Sequence, residues 1–266
     1  ASDNTAVGKT ALYWNTTGGY NTAIGRGVME QNTTGASNTA VGRIALIANT
    51  TGNSHTALGA DALSSNTTGA QNTAVGQGAL LASTTGNYNV AIGQAASGSN
   101  TTGVSNVSVG QAAMYYNTTG SSNTAVGRQA LLVNTTGIEN TAVGYNSLDA
   151  NTTGDNNTAI GRLALTANTT ADGNTAVGVA ALQSSTTGSL NTAVGAGGAG
   201  NALTTGSNNT FIGYQAGRTF TTGAGNVCIG YQSGGTSTTD SNQLWIARSA
   251  GAVNSAAVWV YGDASG

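Results

Sequence analysis

A single line of 17 residues, N-T-A-[VI]-G-x-x-A-L-x-x-N-T-T-G-x-x, is written fourteen times along this chain. The glycine at its fifth position falls at 8, 25, 42, 59, 76, 93, 110, 127, 144, 161, 178 and 195, then at 213 and 230. Every step is 17 residues except one of 18, and the extra residue lies in the stretch GAGGAG from Gly195 to Gly200. A fixed period of this length reads as a solenoid, in which each copy is one structural unit stacked on the next.

The positions differ in tolerance. Position four is always aliphatic (Val7, Ile24, Val41, Leu58), and position three is Ala with Ser108, Phe211 and Cys228 as exceptions. Position six varies freely: Lys9, Arg26, Ala60, Gln77, Tyr145. Positions restricted to one size or polarity are expected to pack, and free positions to face water. Position two exchanges Thr for Val at 90, 107 and 227, two side chains of one shape. This predicts a short strand T-A-V with positions two and four facing an apolar interior and Ala on the other side. The A-L pair, as in Ala130 and Leu131, is a second apolar contact, with one helical turn expected around it. NTTG is expected to be a turn whose glycine permits positive φ. Fourteen layers at about 4.8 Å would make a rod on the order of 65 Å long.

Composition agrees with an all-β solenoid. Only 6% of residues are charged and 5% aromatic, with 41 glycines and no proline. Ordinary globular domains carry about 25% charge. Aliphatic residues at fixed positions in every copy argue against disorder. The net charge is −2, and the seven basic residues are scattered, so no basic patch for nucleic acid is expected. No apolar run approaches the roughly 18 residues of a membrane span, so no membrane insertion is expected. No signal peptide is read at the start, and ASDNTAVG begins inside a copy, as in a mature or excised piece of something longer.

The array is expected over 1–235. Over 236–266 the pattern fails, and QLWIAR and AAVWVYG read as two strands of a cap or of a junction to a following domain.

Neither catalysis nor a cofactor is expected. The one histidine, His55, occupies a position otherwise held by Asn, and the one cysteine, Cys228, a position of small packed residues. No Ser-His-Asp set and no Cys/His cluster with metal spacing can be assembled. Asp155 and Asp172 share one position in successive copies, so stacking would bring them about one strand spacing apart. With Glu139 and Asp149 as possible neighbours, they are weak candidates for a Ca²⁺ site, against the plainer reading of solvated turn carboxylates. The NTT turns match the glycosylation pattern at Asn15, Asn32, Asn49, Asn66, Asn100, Asn117, Asn134, Asn151 and Asn168. The alternative is an Asn ladder bonded from coil to coil, and Ser83 and Ser185 in the Asn position fit that alternative. Thr ladders also raise ice binding, but adjacent Thr residues of NTT would point to opposite faces. Aromatics at variable positions, Tyr13, Trp14, Tyr20, Tyr88, Tyr115 and Tyr116, are candidates for surface contacts with a glycan or another receptor, Tyr115 and Tyr116 foremost.

The copies NVAIG (Asn89 to Gly93), NVSVG (Asn106 to Gly110) and NVCIG (Asn226 to Gly230) resemble the core of YadA-like heads of trimeric autotransporter adhesins. The whole line, together with SNQLWIA…WVYGD between Ser241 and Asp263, is similar to the repeats of tail-fibre-domain proteins of phages and bacteria. These resemblances imply a left-handed β-roll, a homotrimer, an extracellular or virion-borne fibre and a downstream chaperone domain that is cleaved off. The expected function is a structural and adhesive shaft, with a single-chain solenoid binding ice or Ca²⁺ as the alternative.

Overall fold

The computed structural model describes residues 3–236 and 238–246. The chain divides into two compact units, Ala1–Thr153 and Gly154–Gly266. Each is a parallel β-solenoid, and the repeats together make about fourteen turns, with no helix among the described residues. The first unit holds β1 (Thr5–Val7), β2 (Thr22–Ile24), β3 (Thr39–Val41), β4 (Thr56–Leu58), β5 (Thr73–Val75), β6 (Val90–Ile92), β7 (Val107–Val109), β8 (Thr124–Val126) and β9 (Thr141–Val143). The second holds β10 (Thr158–Ile160), β11 (Thr175–Val177), β12 (Thr192–Val194), β13 (Thr210–Ile212), β14 (Val227–Ile229) and β15 (Leu244–Ile246). Within each unit successive strands pair in parallel, Thr on Thr and Ala on Ala. The pairing of Thr192 with Thr210 absorbs the extra residue in the loop between β12 and β13, so the register survives the insertion.

The strands are where the sequence places them, but their faces are reversed. Position three, not positions two and four, points inward: Ala23, Ala40, Ala57 and Ala125 are fully buried. Ile24, Leu58, Ile92 and Val126 of position four are exposed, and the Thr of position two is half-buried or exposed. Strict alternation puts positions two and four together, as expected, yet does not say which side is the interior. A coil of 17 residues encloses a narrow space. The Leu of position nine (Leu46, Leu63, Leu131) and the Ala of position eight already fill it, leaving room for one methyl from the strand.

The A-L segment is not a helical turn. Positions seven and nine take positive φ without being glycine, as in Asp61 and Leu63 (61° and 50°) and Gln129 and Leu131 (57° and 52°). The resulting alternation sends the N–H groups of positions seven and nine to neighbouring coils, while that of position eight bonds back, as Ala62 N–H does to Gly59 O at 3.4 Å. Asp61 N–H donates to Arg43 O of the previous coil at 3.0 Å, and Leu63 N–H to Ala79 O of the next at 3.0 Å. NTTG does turn the chain, by a different device. The N–H groups of Thr118, Thr119 and Gly120 converge on the single carbonyl of Thr135 at 3.0, 3.2 and 3.4 Å, and Thr118 Oγ1 donates to it at 2.9 Å. The glycine here is not in the left-handed region. It is required because a Cβ on Gly120 would collide with Asn117 Oδ1 and press on Gly137 O of the next coil.

The array runs beyond 235. Thr221 N–H donates to Thr238 O at 2.7 Å, and β15 pairs with β14 at the same offset of 17, Trp245 against Cys228. Through Ile246 the segment therefore continues the repeat instead of departing from it. The expected strand AAVWVYG, and the cap or junction it would form, lie outside the described residues.

Candidate functional site

Two rows of buried amides hold the coils in register. The Asn of position twelve donates to its counterpart in the previous coil: Asn134 Nδ2 to Asn117 Oδ1 at 2.8 Å, and Asn49 Nδ2 to Asn32 Oδ1 at 2.7 Å. It also donates to the glycine carbonyl of its own turn, as Asn134 Nδ2 does to Gly137 O at 2.9 Å. That carbonyl accepts a second amide from position one, Asn123 Nδ2 at 2.8 Å, while Asn123 Oδ1 accepts the backbone N–H of Asn140 at 2.9 Å. Both amides are thus used as donors and acceptors, the condition for burying them at no net loss.

These are the sequon residues. Asn32, Asn49, Asn66, Asn100, Asn117, Asn134, Asn151 and Asn168 are fully buried, and Asn15 is partly so. The Nδ2 atom that would carry a sugar points inward and is already committed, so sugars studding an edge of the folded coil do not fit this geometry; the ladder reading does. The ladder also explains His55. Its Nδ1 accepts Asn72 N–H at 3.3 Å and its Nε2 lies 2.7 Å from Gly69 O, the two roles that Asn plays at position one. A neutral imidazole with the proton on Nε2 supplies one acceptor and one donor, as an amide does. Burial pulls its pKa below the ordinary value of 6.5, against the opposing pull of the Gly69 and Asn72 backbone groups.

Asp172 Oδ1 accepts the backbone N–H of Asp155 at 2.8 Å, and Asp172 N–H in turn donates to Ser189 Oγ at 3.1 Å. This is a coil-to-coil capping position, served in other copies by Asn53, Asn87 and Ser121. Glu139 and Asp149 belong to the other unit. Among the described residues no group of three or more His, Cys, Asp or Glu side chains is placed to hold a metal ion. Cys228 is buried, and desolvation pushes its thiol pKa up to about 12. Among the described residues no helix is long and apolar enough to cross a membrane.

Comparison with protein-family models, with curated proteins and with solved structures finds no match.

Two surface features stand out. One is the outer strand face, where position four forms a row of Val, Ile and Leu beside a row of Thr, with no charged residue in either row. The other surrounds Tyr115 and Tyr116, whose rings meet edge to face at 4.7 Å and 87°. Tyr13 and Trp14 repeat that arrangement at the same two positions of the first coil, at 5.0 Å and 87°. The reversal of the strand faces was not legible in the repeat pattern. One related compensation was: Phe211 replaces Ala inside, and the same coil has Gly217 where Leu is usual. A Cβ on Gly217 would collide with the Phe211 ring, which stacks on Phe220 at 5.7 Å.

Proposed function

We propose that the chain is a non-enzymatic shaft segment of an extracellular fibre, of a phage tail or a bacterial surface, formed by three copies packed as left-handed β-rolls. The observation that carries this reading is the outward row of aliphatic side chains on the strand face. In the first unit alone, nine strands spaced at about 4.8 Å carry a face about 10 Å wide, roughly 400 Å². A face of that size, Thr row included, matches the largest patch of a typical monomer, and such patches are often functional. The occupant is a second copy of the chain, because rows repeating at one spacing are complementary to rows of the same spacing, and no charge opposes their approach. The resemblance of NVAIG, NVSVG and NVCIG to the core of trimeric adhesin heads favours three copies. The role of such a shaft is to hold a binding tip, or its own varied surface, away from the particle. Sedimentation equilibrium without denaturant tests the assembly: three times the chain mass of 25.9 kDa supports it, and a monomer overturns it.

A second reading is favoured by the same face. Mostly Thr at position two and Val, Ile or Leu at position four stand in two parallel rows on an exposed sheet, a regular lattice of hydroxyl and methyl groups. The Thr residues of this lattice are those of the strand, not those of NTT, so the objection from adjacent Thr residues does not touch them. A single-chain solenoid with this face would bind ice. Thermal hysteresis by a monomer supports this second reading, and its absence at high concentration removes it.

A further inference from the structure

Along position seven of the repeat, Gly78, Ala95 and Ala112 follow one another, between Asp61 on one side and Gln129 on the other. Three small side chains in successive coils leave a depression in the surface. It is a groove of about 280 Å³ lined by Gln94, Gln111, Gln129, Tyr115, Tyr116 and Leu132, with Ala95 and Ala112 as its floor. Its walls are chemically mixed. The Tyr115 ring lies across Gly98 of the preceding coil, where a Cβ would come within 2.7 Å of the ring, so glycine at that point lets the ring lie down. Tyr116 stands at 87° to it and is half-exposed.

Besides the Tyr115 and Tyr116 hydroxyls, the polar groups are amides. Gln111 Nε2 donates to Gln94 Oε1 at 3.2 Å, and among the described residues Gln94 Nε2, Gln111 Oε1 and the Gln129 side-chain amide have no other side-chain or backbone partner. No charged side chain lines the groove.

We propose that this groove binds a neutral saccharide. A sugar ring has an apolar C–H face that stacks on an aromatic ring, and an edge of hydroxyls that both donate and accept. Tyr rings offer the first surface, and unpaired Gln amides offer donor and acceptor together. Without a cation in the lining, sialic acids and sugar phosphates gain nothing over neutral hexoses. The volume is just under the roughly 300–1,000 Å³ usual for small-molecule pockets, which limits the occupant to one or two sugar residues. The proposal rests on the adhesive part of the fibre reading and names the ligand class of its surface.

The test is a titration of isotope-labelled protein, followed by side-chain amide NMR signals, with the methyl glycosides of glucose, galactose, mannose and N-acetylglucosamine. The expected result is saturable shifts of the Gln94, Gln111 and Gln129 amides with at least one sugar, with Kd of about 1–10 mM. Tyr116→Ala and Gln111→Ala, both at exposed sites that leave the coil core intact, should each weaken binding at least about tenfold, while Tyr20→Ala should not change it. No saturable shift with any sugar at about 50 mM overturns the proposal. So does binding that survives both groove substitutions. The titration reads the groove whatever the assembly state. Sugar binding by a protein that fails to attach to intact cells would count against the adhesive reading and leave the groove standing. Attachment that persists in a groove variant unable to bind sugar would place the receptor contact elsewhere and refute the groove's part in adhesion.

Discussion

Asn66 and Ser83 face each other across a break in the amide ladder. Asn66 Oδ1 and Ser83 Oγ are both buried without a hydrogen-bond partner, whereas the equivalent step from Asn49 to Asn32 closes at 2.7 Å. Serine is too short to span one coil spacing. On the far side Asn100 Nδ2 keeps its bond to Gly103 O at 3.1 Å, but its usual acceptor in the previous coil is missing.

Ser83→Asn should therefore stabilise the protein. Supplying partners to buried groups that lack them recovers about 1–3 kcal/mol. Thermal unfolding followed by circular dichroism should show a higher Tm. The reverse change at an intact step, Asn49→Ser, should lower Tm by a comparable amount, and an unchanged Tm in both would sink the ladder argument.

His55 should make stability depend on pH. Its folded pKa lies below its ordinary value of 6.5 because burial disfavours the imidazolium. The unfolded chain thus binds the proton more readily, so this contribution is complete above about pH 6.5 and is lost as pH falls toward the folded value. His55→Asn should flatten the slope of unfolding free energy against pH below 6.5 and leave stability at pH 8 nearly unchanged. Denaturant melts at several pH values would decide this; a slope that survives the substitution belongs to other groups.

The reversal of the strand faces predicts opposite sensitivities at adjacent residues. Ala125 is fully buried and Val126 is exposed. Ala125→Leu should cost about 1–3 kcal/mol through overpacking. Val126→Thr should stay within about 0.5 kcal/mol in chemical denaturation. The opposite ranking would return positions two and four to the interior.

If the aliphatic row is a seam between copies, a charge placed on it should dissolve the assembly without unfolding the coil. Ile92→Asp puts a carboxylate on the exposed face of β6. Sedimentation equilibrium should then report the mass of one chain, with the far-ultraviolet spectrum retained. An assembly that tolerates Ile92→Asp would place the contact on another face.

Cys228 should be inert in the native state. It is buried, and its thiol pKa is pushed up to about 12, so almost no thiolate exists at neutral pH. A thiol-specific disulfide reagent should react only as fast as the protein opens, and rapidly in denaturant. Fast reaction under native conditions would contradict the burial of Cys228.

The sequence by itself determined the period, the place of the inserted residue, the short T-A-V strands and their stacking copy on copy. All of these are properties of one line read along the chain. It also told positions two and four apart from position three, since alternation along a strand is local. Only the tertiary structure decided which of those two sets is inside. That choice depends on the width of the closed coil. Leu131 and Ala130 reach the interior from the opposite segment and leave space for the methyl of Ala125 but not for the branched chain of Val126. The same closure decided the fate of the asparagines. Asn123 and Asn134 are eleven residues apart, and only a closed coil brings both amides to the carbonyl of Gly137. Read along the chain, N-T-T is a surface motif; wound into a coil, its Asn becomes core, because the amides that complete its hydrogen bonding belong to its counterparts a full turn away.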